Sequence, residues 1–285
     1  MKRLPNLGVK GATRSTNIVC QITMIVMSVF MIFPIYWAFL TAIKPDDLIY
    51  KYPPVFFSDQ FTWDQFIFAF KSQNIFRFMF NTAVYSLLAG ILSVLLALFA
   101  AYALSRLPIR HKGGIMAFFL VPMLIPGITN LIPLYSAYSK LHMLDTYPGM
   151  VLIYIPGLLP LAIVVLRNYF DSIPYVLEEA AMIDGCNRLS VVWRIMMPLV
   201  APGIIAVFII NFVTVWNEFL VTLIFTSKSE MRTLTVGIYN LIGVSKVHQG
   251  AINAIGLVSV IPVLVLFLLF RKKFIETMME GAVKG

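Results

Sequence analysis

Ionisable side chains are scarce in this 285-residue chain: Asp, Glu, Lys and Arg make up 12% of it, and 60% is hydrophobic. Any chemistry must come from the few that interrupt the apolar sequence. The densest interruption is "EEAAMIDGCNRLSVVWRIMMP", Glu178 to Pro198, which holds two adjacent glutamates, an aspartate, two arginines and a glycine. A second is Glu218, alone in a long apolar stretch. A charged carboxylate costs about 2.5 kcal/mol or more at mid-bilayer, so it must face protein or water. Catalytic patterns do not stand out. The sequence has no G-x-x-x-x-G-K-[ST] phosphate loop, no H-E-x-x-H and no Ser/His/Asp pattern, so ATP hydrolysis is not expected of it. His111, His142 and His248 are scattered and lack metal-ligand spacing.

The elements that must position these residues are membrane helices. A soluble globule averages about 25% charged residues, about twice the fraction found in this chain. Stretches nearly free of charge run over 18–43, 78–105, 113–139, 146–166, 203–225 (with Glu218 as the one intruder) and 251–270. About 20 apolar residues span a bilayer core. Barrel-like alternation is absent and lipid tolerates no open sheet edge, so the expected fold class is an all-α membrane protein of six transmembrane helices. The first run is too long for a signal h-region and lacks a small-residue cleavage site, which predicts an uncleaved span. With the N-terminus in the cytoplasm, the larger share of the 22 Lys and Arg residues lies inside. That orientation puts both termini and the Glu178–Pro198 loop in the cytoplasm. It also accounts for the net charge of +9 without nucleic acid, since no basic block is longer than Arg271, Lys272 and Lys273. Cys20 and Cys186 fall in different environments, so no disulfide is expected. The organisation is then a cytoplasmic segment 1–17, one membrane domain 18–270 containing the loop 172–198, and a cytoplasmic tail 271–285.

Pro122, Pro126 and Pro133 interrupt the third span, and Pro156, Gly157 and Pro160 the fourth. Proline frees carbonyls that lipid cannot satisfy, so these helices pack as kinks against others or line a pathway. In the loop, Ser172 is a candidate cap with Pro174 in the first turn, and Tyr175 to Asp184 reads as a short helix. Gly185 suits the left-handed residue that ends it. Leu189, Val192, Trp193 and Met196 recur as one face of a second helix that must stop before Pro198. Ala180 and Ala181 permit close approach of another backbone, and Glu179 offers a charge to a partner arginine. This helix–turn–helix is either a protein-docking knob or an amphipathic hairpin at the membrane surface. On the fifth span Asn211, Thr214, Glu218 and Thr222 share a stripe, beside Asn217. They either line a route for a hydroxylated solute or fix helix packing.

Glu179, Ala180, Ala181, Gly185, Ile195, Met197 and Pro198 match, at fixed spacing, the EAA motif E-A-A-x-x-x-G-x9-I-x-L-P, with methionine in the leucine position. The chain thereby resembles permease subunits of ATP-binding-cassette importers. "NTAVYSLLAGILSVLLALFAAYALSR" (Asn81 to Arg106), "LHMLDTYPGMVL" (Leu141 to Leu152), "VWNEFLVTLIF" (Val215 to Phe225) and the ending "EGAVKG" are similar to the smaller subunit of maltose-type carbohydrate permeases. The resemblance implies that the loop is a coupling helix seated on a cytoplasmic ATPase, through Glu178, Glu179, Ala180, Ala181, Asp184, Gly185, Ile195 and Pro198. It implies a second, different permease subunit, two ATPase subunits that carry ATP and magnesium, and an extracytoplasmic solute-binding protein. The setting would be a bacterial or archaeal cytoplasmic membrane, with no cofactor or metal in this chain. Gly281, Lys284 and Gly285 in the tail would reach between the ATPase subunits, unless the tail is a frayed terminus. An importer of the same architecture for a non-sugar solute, and an ion-coupled secondary transporter, are the alternatives. The latter needs inverted repeats and paired intramembrane carboxylates, which the sequence does not show.

Overall fold

The computed structural model describes residues 14–56, 58–72, 74–242 and 247–282. Its long elements are helical because lipid offers the backbone no partner, and a helix satisfies every amide internally. In chain order they are α1 (Arg14–Ala42), α2 (Asp46–Ile49), α3 (Asp64–Ser72), α4 (Ile75–Arg106), α5 (Lys112–Leu120), α6 (Leu131–Lys140), α7 (Tyr147–Ser172) and α8 (Val176–Ile183). They continue as α9 (Arg188–Val191), α10 (Met197–Leu199), α11 (Ala201–Trp216), α12 (Leu220–Phe225), α13 (Leu234–Tyr239) and α14 (Gln249–Ala282). No β-strand occurs among the described residues.

Among the described residues, four helices are long and apolar enough to cross a membrane unaided: Ile18–Ala42, Ile75–Arg106, Tyr147–Ser172 and Gln249–Arg271. Two further candidates are bent pairs, each a broken span or a re-entrant loop: Lys112–Leu124 with Gly127–Lys140 at 92° and Arg188–Leu199 with Ala201–Trp216 at 78°. The six expected spans are therefore four to six in the structure. The first bend sits at Ile125–Pro126, where short 3-10 turns at Val121–Leu124 and Gly127–Asn130 replace the α-helix around the prolines.

The described residues fold as two compact units, one within Met1–Ala69 and Val247–Val258, the other within Phe70–Lys246 and Ser259–Gly285. In the first unit the apolar side chains of α1 from Ile18 to Ile35 point outward, as on a lipid-facing span. In the second, α4 packs along α7 and α11. Lipid gives no hydrophobic drive between helices, so close approach depends on small residues. Ala89, Ala97 and Ala101 of α4 and Ala162 of α7 are fully buried, while Leu88, Leu92, Leu96 and Phe99 of α4 face out.

Three local expectations are corrected. The fourth span does not end near Leu166: α7 runs on to Ser172, whose hydroxyl donates to the Tyr169 carbonyl (2.8 Å) within its own helix rather than capping the next. The loop's second helix does not stop before Pro198. A π-helical turn, Val192–Met196, joins α9 to α10, and the helix runs through the proline to Leu199. The wider turn displaces the carbonyl that a proline ring would otherwise strike. The fifth span is not one helix: the backbone breaks at Asn217–Phe219, between α11 and α12.

Candidate coupling segment and membrane cavity

The segment from α8 to α10 is built by complementary end signals. At the end of α8, the Cys186 amide donates to the Ala181 carbonyl (3.0 Å) and the Gly185 amide to the Met182 carbonyl (3.1 Å). This pair is a Schellman closure, with Gly185 at φ +87°. Space around Gly185 is open, so glycine is required there by backbone conformation rather than by crowding. Two residues on, Asn187 Oδ1 accepts from the Ser190 amide (2.8 Å) and starts α9. Turn and cap together set the angle between the two short helices.

Helical period then divides the motif between two faces. Glu179, Ala180, Asp184 and Gly185 are exposed, and Val176 and Ile183 beside them are 68% and 85% exposed. Glu178 and Ala181 turn the other way and are buried. Ala181 joins Val191, Val192 and Met196 in a core with Leu98 and Tyr102 of α4 and Leu166 and Phe170 of α7. The close approach of another chain expected at both alanines is therefore open only at Ala180. Ile195 is half-buried against the same core, and Pro198 is exposed.

Glu178 enters a buried ionic cluster at the C-terminal end of α4. Its Oε1 lies 2.6 Å from Arg106 Nε, off the axis of a good hydrogen bond, and its Oε2 accepts from the Tyr102 hydroxyl (3.1 Å). Arg106 Nη2 donates to the Phe170 and Ile173 carbonyls, both at 2.6 Å, and the guanidinium lies 4.2 Å from the Tyr175 ring centre. Around it, the Ser105 hydroxyl donates to Asp171, while the Ser105 carbonyl accepts from Tyr175 and Lys112. Sequence reasoning missed Arg106; an arginine as the last residue of a 32-residue apolar helix was the available signal.

The opposite end of α4 carries a cluster of mostly neutral groups, to which the exposed Arg77 adds one bond, its Nε donating to the Glu230 carbonyl (3.1 Å). Asn81 Nδ2 donates to the Glu230 and Arg232 carbonyls (2.7 and 2.9 Å), and its Oδ1 accepts from the Tyr147 hydroxyl (2.6 Å). The Tyr85 hydroxyl donates to the Met231 carbonyl (3.0 Å), and Thr82 Oγ1 accepts from the Leu234 amide (2.9 Å).

The break in the fifth span explains Glu218. Its carboxylate accepts from the Val221 and Thr222 amides (2.8 and 3.2 Å), so it caps the first turn of α12. It also accepts from the Tyr154 hydroxyl (3.1 Å), which in turn contacts Thr222 Oγ1 (2.7 Å). Because the helix breaks, the expected single stripe splits. Asn211 is 1% exposed and donates to Ser93 of α4 (2.8 Å), a packing bond. The Asn217 amide turns back to the Val213 carbonyl. Thr214 is exposed and lines a cavity of about 450 Å³ with Asn130, Tyr138, Tyr154, Pro156 and Gly157. Pro122 of the third span and Pro156 and Pro160 of the fourth thus border a cavity. Glu218 is not among its lining residues and reaches it through Tyr154. Tyr154, Tyr138 and Asn130 were not marked by the sequence pattern, since single polar residues in apolar helices carry no periodic signal.

Of the tail residues singled out earlier, Gly281 lies within α14, and Lys284 and Gly285 fall outside the described residues. Cys20 and Cys186 are free thiols. No cluster of metal-ligating residues occurs among the described residues.

Residues 93–274 match the family described as binding-protein-dependent transport system inner membrane component, and so include α8 to α10 and the cavity. The chain belongs to that family. This inner-membrane component is 33% identical over 254 residues to the sulfoquinovosyl glycerol transport system permease protein of Agrobacterium fabrum, covering 89% of each chain. It is 30% identical to a diacetylchitobiose uptake system permease protein of Streptomyces coelicolor, covering 93% of this chain and 96% of that one. It is likewise 30% identical to the trehalose transport system permease protein of Mycobacterium tuberculosis, covering 96% and 100%. Its fold is that of a chain in the crystal structure of a bacterial ABC transporter involved in alginate import, with TM-score 0.76 at 21% identity over 96% of this component and 100% of that chain.

Proposed function

We propose that this inner-membrane component is one permease subunit of an ATP-driven importer for a sugar or oligosaccharide. The observation that carries the reading is the two-faced segment α8–α10. Its inner face is fixed to α4 and α7. Its outer face presents Glu179, Asp184, Val176 and Ile183 to an absent neighbour. An apolar knob rimmed by carboxylates fits a groove with basic edges on a cytoplasmic ATPase subunit, which would supply ATP and magnesium chemistry. A second permease subunit, the other ATPase copy and an extracytoplasmic solute-binding protein complete the assembly. In this topology both chain termini and residues 172–198 are cytoplasmic. Gly281, Lys284 and Gly285 are assigned to ATPase contact on the resemblance alone. The solute passes by the cavity at Thr214, Asn130 and Tyr138, where amide and hydroxyl groups match a carbohydrate's hydroxyls. The sugar class is supported by relatives whose names specify carbohydrate solutes.

Reconstitution of the assembly in liposomes tests this. Uptake of labelled trehalose, maltose or diacetylchitobiose is expected to require enclosed ATP and the binding protein. Uptake driven by an ion gradient without ATP would replace the reading with a secondary transporter. ATP-driven uptake of another solute class alone would remove only the sugar.

A further inference from the structure

Glu178 precedes the Glu-Ala-Ala triplet yet points away from any docking partner, into the ionic cluster at the end of α4. Arg106, the last residue of α4, there holds three elements at once. It meets Glu178 in the first turn of α8, the Phe170 and Ile173 carbonyls at the end of α7, and the ring of Tyr175 in the connector between them. The Phe170 carbonyl, which also accepts from the Ile173 amide (3.0 Å), and the Ile173 carbonyl lie at the C-terminal end of α7, where a cation is favoured. Without this grip, α8 would hang by the short connector Ile173–Tyr175, by apolar packing around Ala181, which has no preferred direction, and by two single hydroxyl bonds, Tyr175 to the Ser105 carbonyl and Tyr102 to Glu178.

The cluster is a poor device for stability. The Arg106 and Glu178 side chains are only 2% and 8% exposed, and Arg106 Nη1 is buried with no hydrogen-bond partner. Desolvation of such a pair commonly cancels its attraction. Its value is geometric, because an off-centre fork held at three points admits one orientation. We propose that Arg106 is a positioning residue that locks α8–α10 to α4 and α7 as one rigid lever. A push on the outer face of α8 then reaches the cavity wall at Tyr154–Gly157, about 20 Å along α7 at 1.5 Å per residue, instead of being lost in the connector. This inference rests on the reading of the segment as the ATPase contact.

The test uses the complete transporter with Thr214→Cys as a reporter in the cavity, in a background with Cys20 and Cys186 replaced by serine. N-ethylmaleimide labelling is compared before and after trapping with magnesium, ATP and orthovanadate in the presence of the binding protein. In the parent, trapping is expected to change the labelling rate by about fivefold or more, the low end of usual site-to-site coupling. The decisive variant is the double replacement Arg106→Met with Glu178→Met, which removes both charges and keeps apolar volume. It is expected to assemble with the ATPase subunits and trap vanadate, but to leave Thr214→Cys labelling unchanged on trapping. Arg106→Lys keeps the charge but loses the fork, and is expected to give an intermediate response.

A double variant that responds like the parent would overturn the lever. So would loss of assembly in both variants, since the cluster would then serve folding alone. A parent that fails to respond to trapping, or fails to bind ATPase subunits, would instead sink the functional reading on which the inference stands.

Discussion

The two ends of α4 hold their neighbours by different chemistry. At the Asn81 end, an amide, two hydroxyls and the exposed Arg77 guanidinium each meet backbone groups of the stretch Glu230–Leu234. At the Arg106 end, a guanidinium and a carboxylate meet each other in a buried setting, with two carbonyls attached. A set of separate bonds to backbone groups loses them one at a time when a member is removed. An ionic one leaves the surviving charge unpaired, so its loss is abrupt. One end is therefore a graded tether and the other an all-or-none latch, placed where the proposed coupling segment joins α4.

The widest test of that contrast is whether the two ends lie on opposite sides of a membrane. In the cysteine-free background, Ser229→Cys at the Asn81 end is expected to react with a membrane-impermeant maleimide on intact cells. His111→Cys, at the Arg106 end, is expected to react only after permeabilisation. Equal reaction at both would break the assignment of an inner and an outer end.

Next in size is the energetic difference. Glu178→Ala strands Arg106 and is expected to destabilise by about 3–5 kcal/mol. Asn81→Ala leaves the Arg232 carbonyl and the Tyr147 hydroxyl short of a partner, while Arg77 still holds the Glu230 carbonyl, and is expected to cost about 1–3 kcal/mol. Thermal unfolding of the purified complex in detergent compares them, and a larger loss for Asn81→Ala would reverse the proposed roles.

Within the latch end, Gly185 isolates backbone geometry from contact. Space is open around it, so Gly185→Leu should cost only the left-handed penalty of about 1–2 kcal/mol, yet it should tilt α9 and weaken ATPase co-purification. Gly185→Asn should retain most of both, because asparagine tolerates that region. Equal loss in both variants would point to a steric role instead.

The smallest effect is expected at Glu218, which belongs to neither end. Glu218→Ala removes the cap of α12 and the acceptor for Tyr154, for about 1 kcal/mol from the cap. Uptake of two competing sugars should keep its ratio, because the residue reaches the cavity only through Tyr154. A changed ratio at normal complex yield would put Glu218 on the solute's route.

Run length, proline placement and motif spacing determined the helical class, the neighbourhood of the spans and the turn at Gly185, because lipid admits few backbone solutions and a left-handed turn admits few residues. The same local signals misjudged where helices end. Ser172 looked like a cap, but tertiary packing of Leu166 and Phe170 carries α7 past the apolar run. Pro198 looked like a stop, but a π-helical turn accommodates it, and Val192 and Met196 within that turn are buried. Only the tertiary structure decided which face of the motif looks outward, since Glu178 and Glu179 are adjacent in sequence and differ by one step of helical rotation. The pairing of Glu178 with Arg106, 72 residues earlier, carries no periodic trace, because it depends on α4 and α7 packing to bring one helix end to another. The break at Asn217–Phe219 was hidden for a related reason: Glu218 can cap a new helix only where Tyr154 and Thr222 are held beside it.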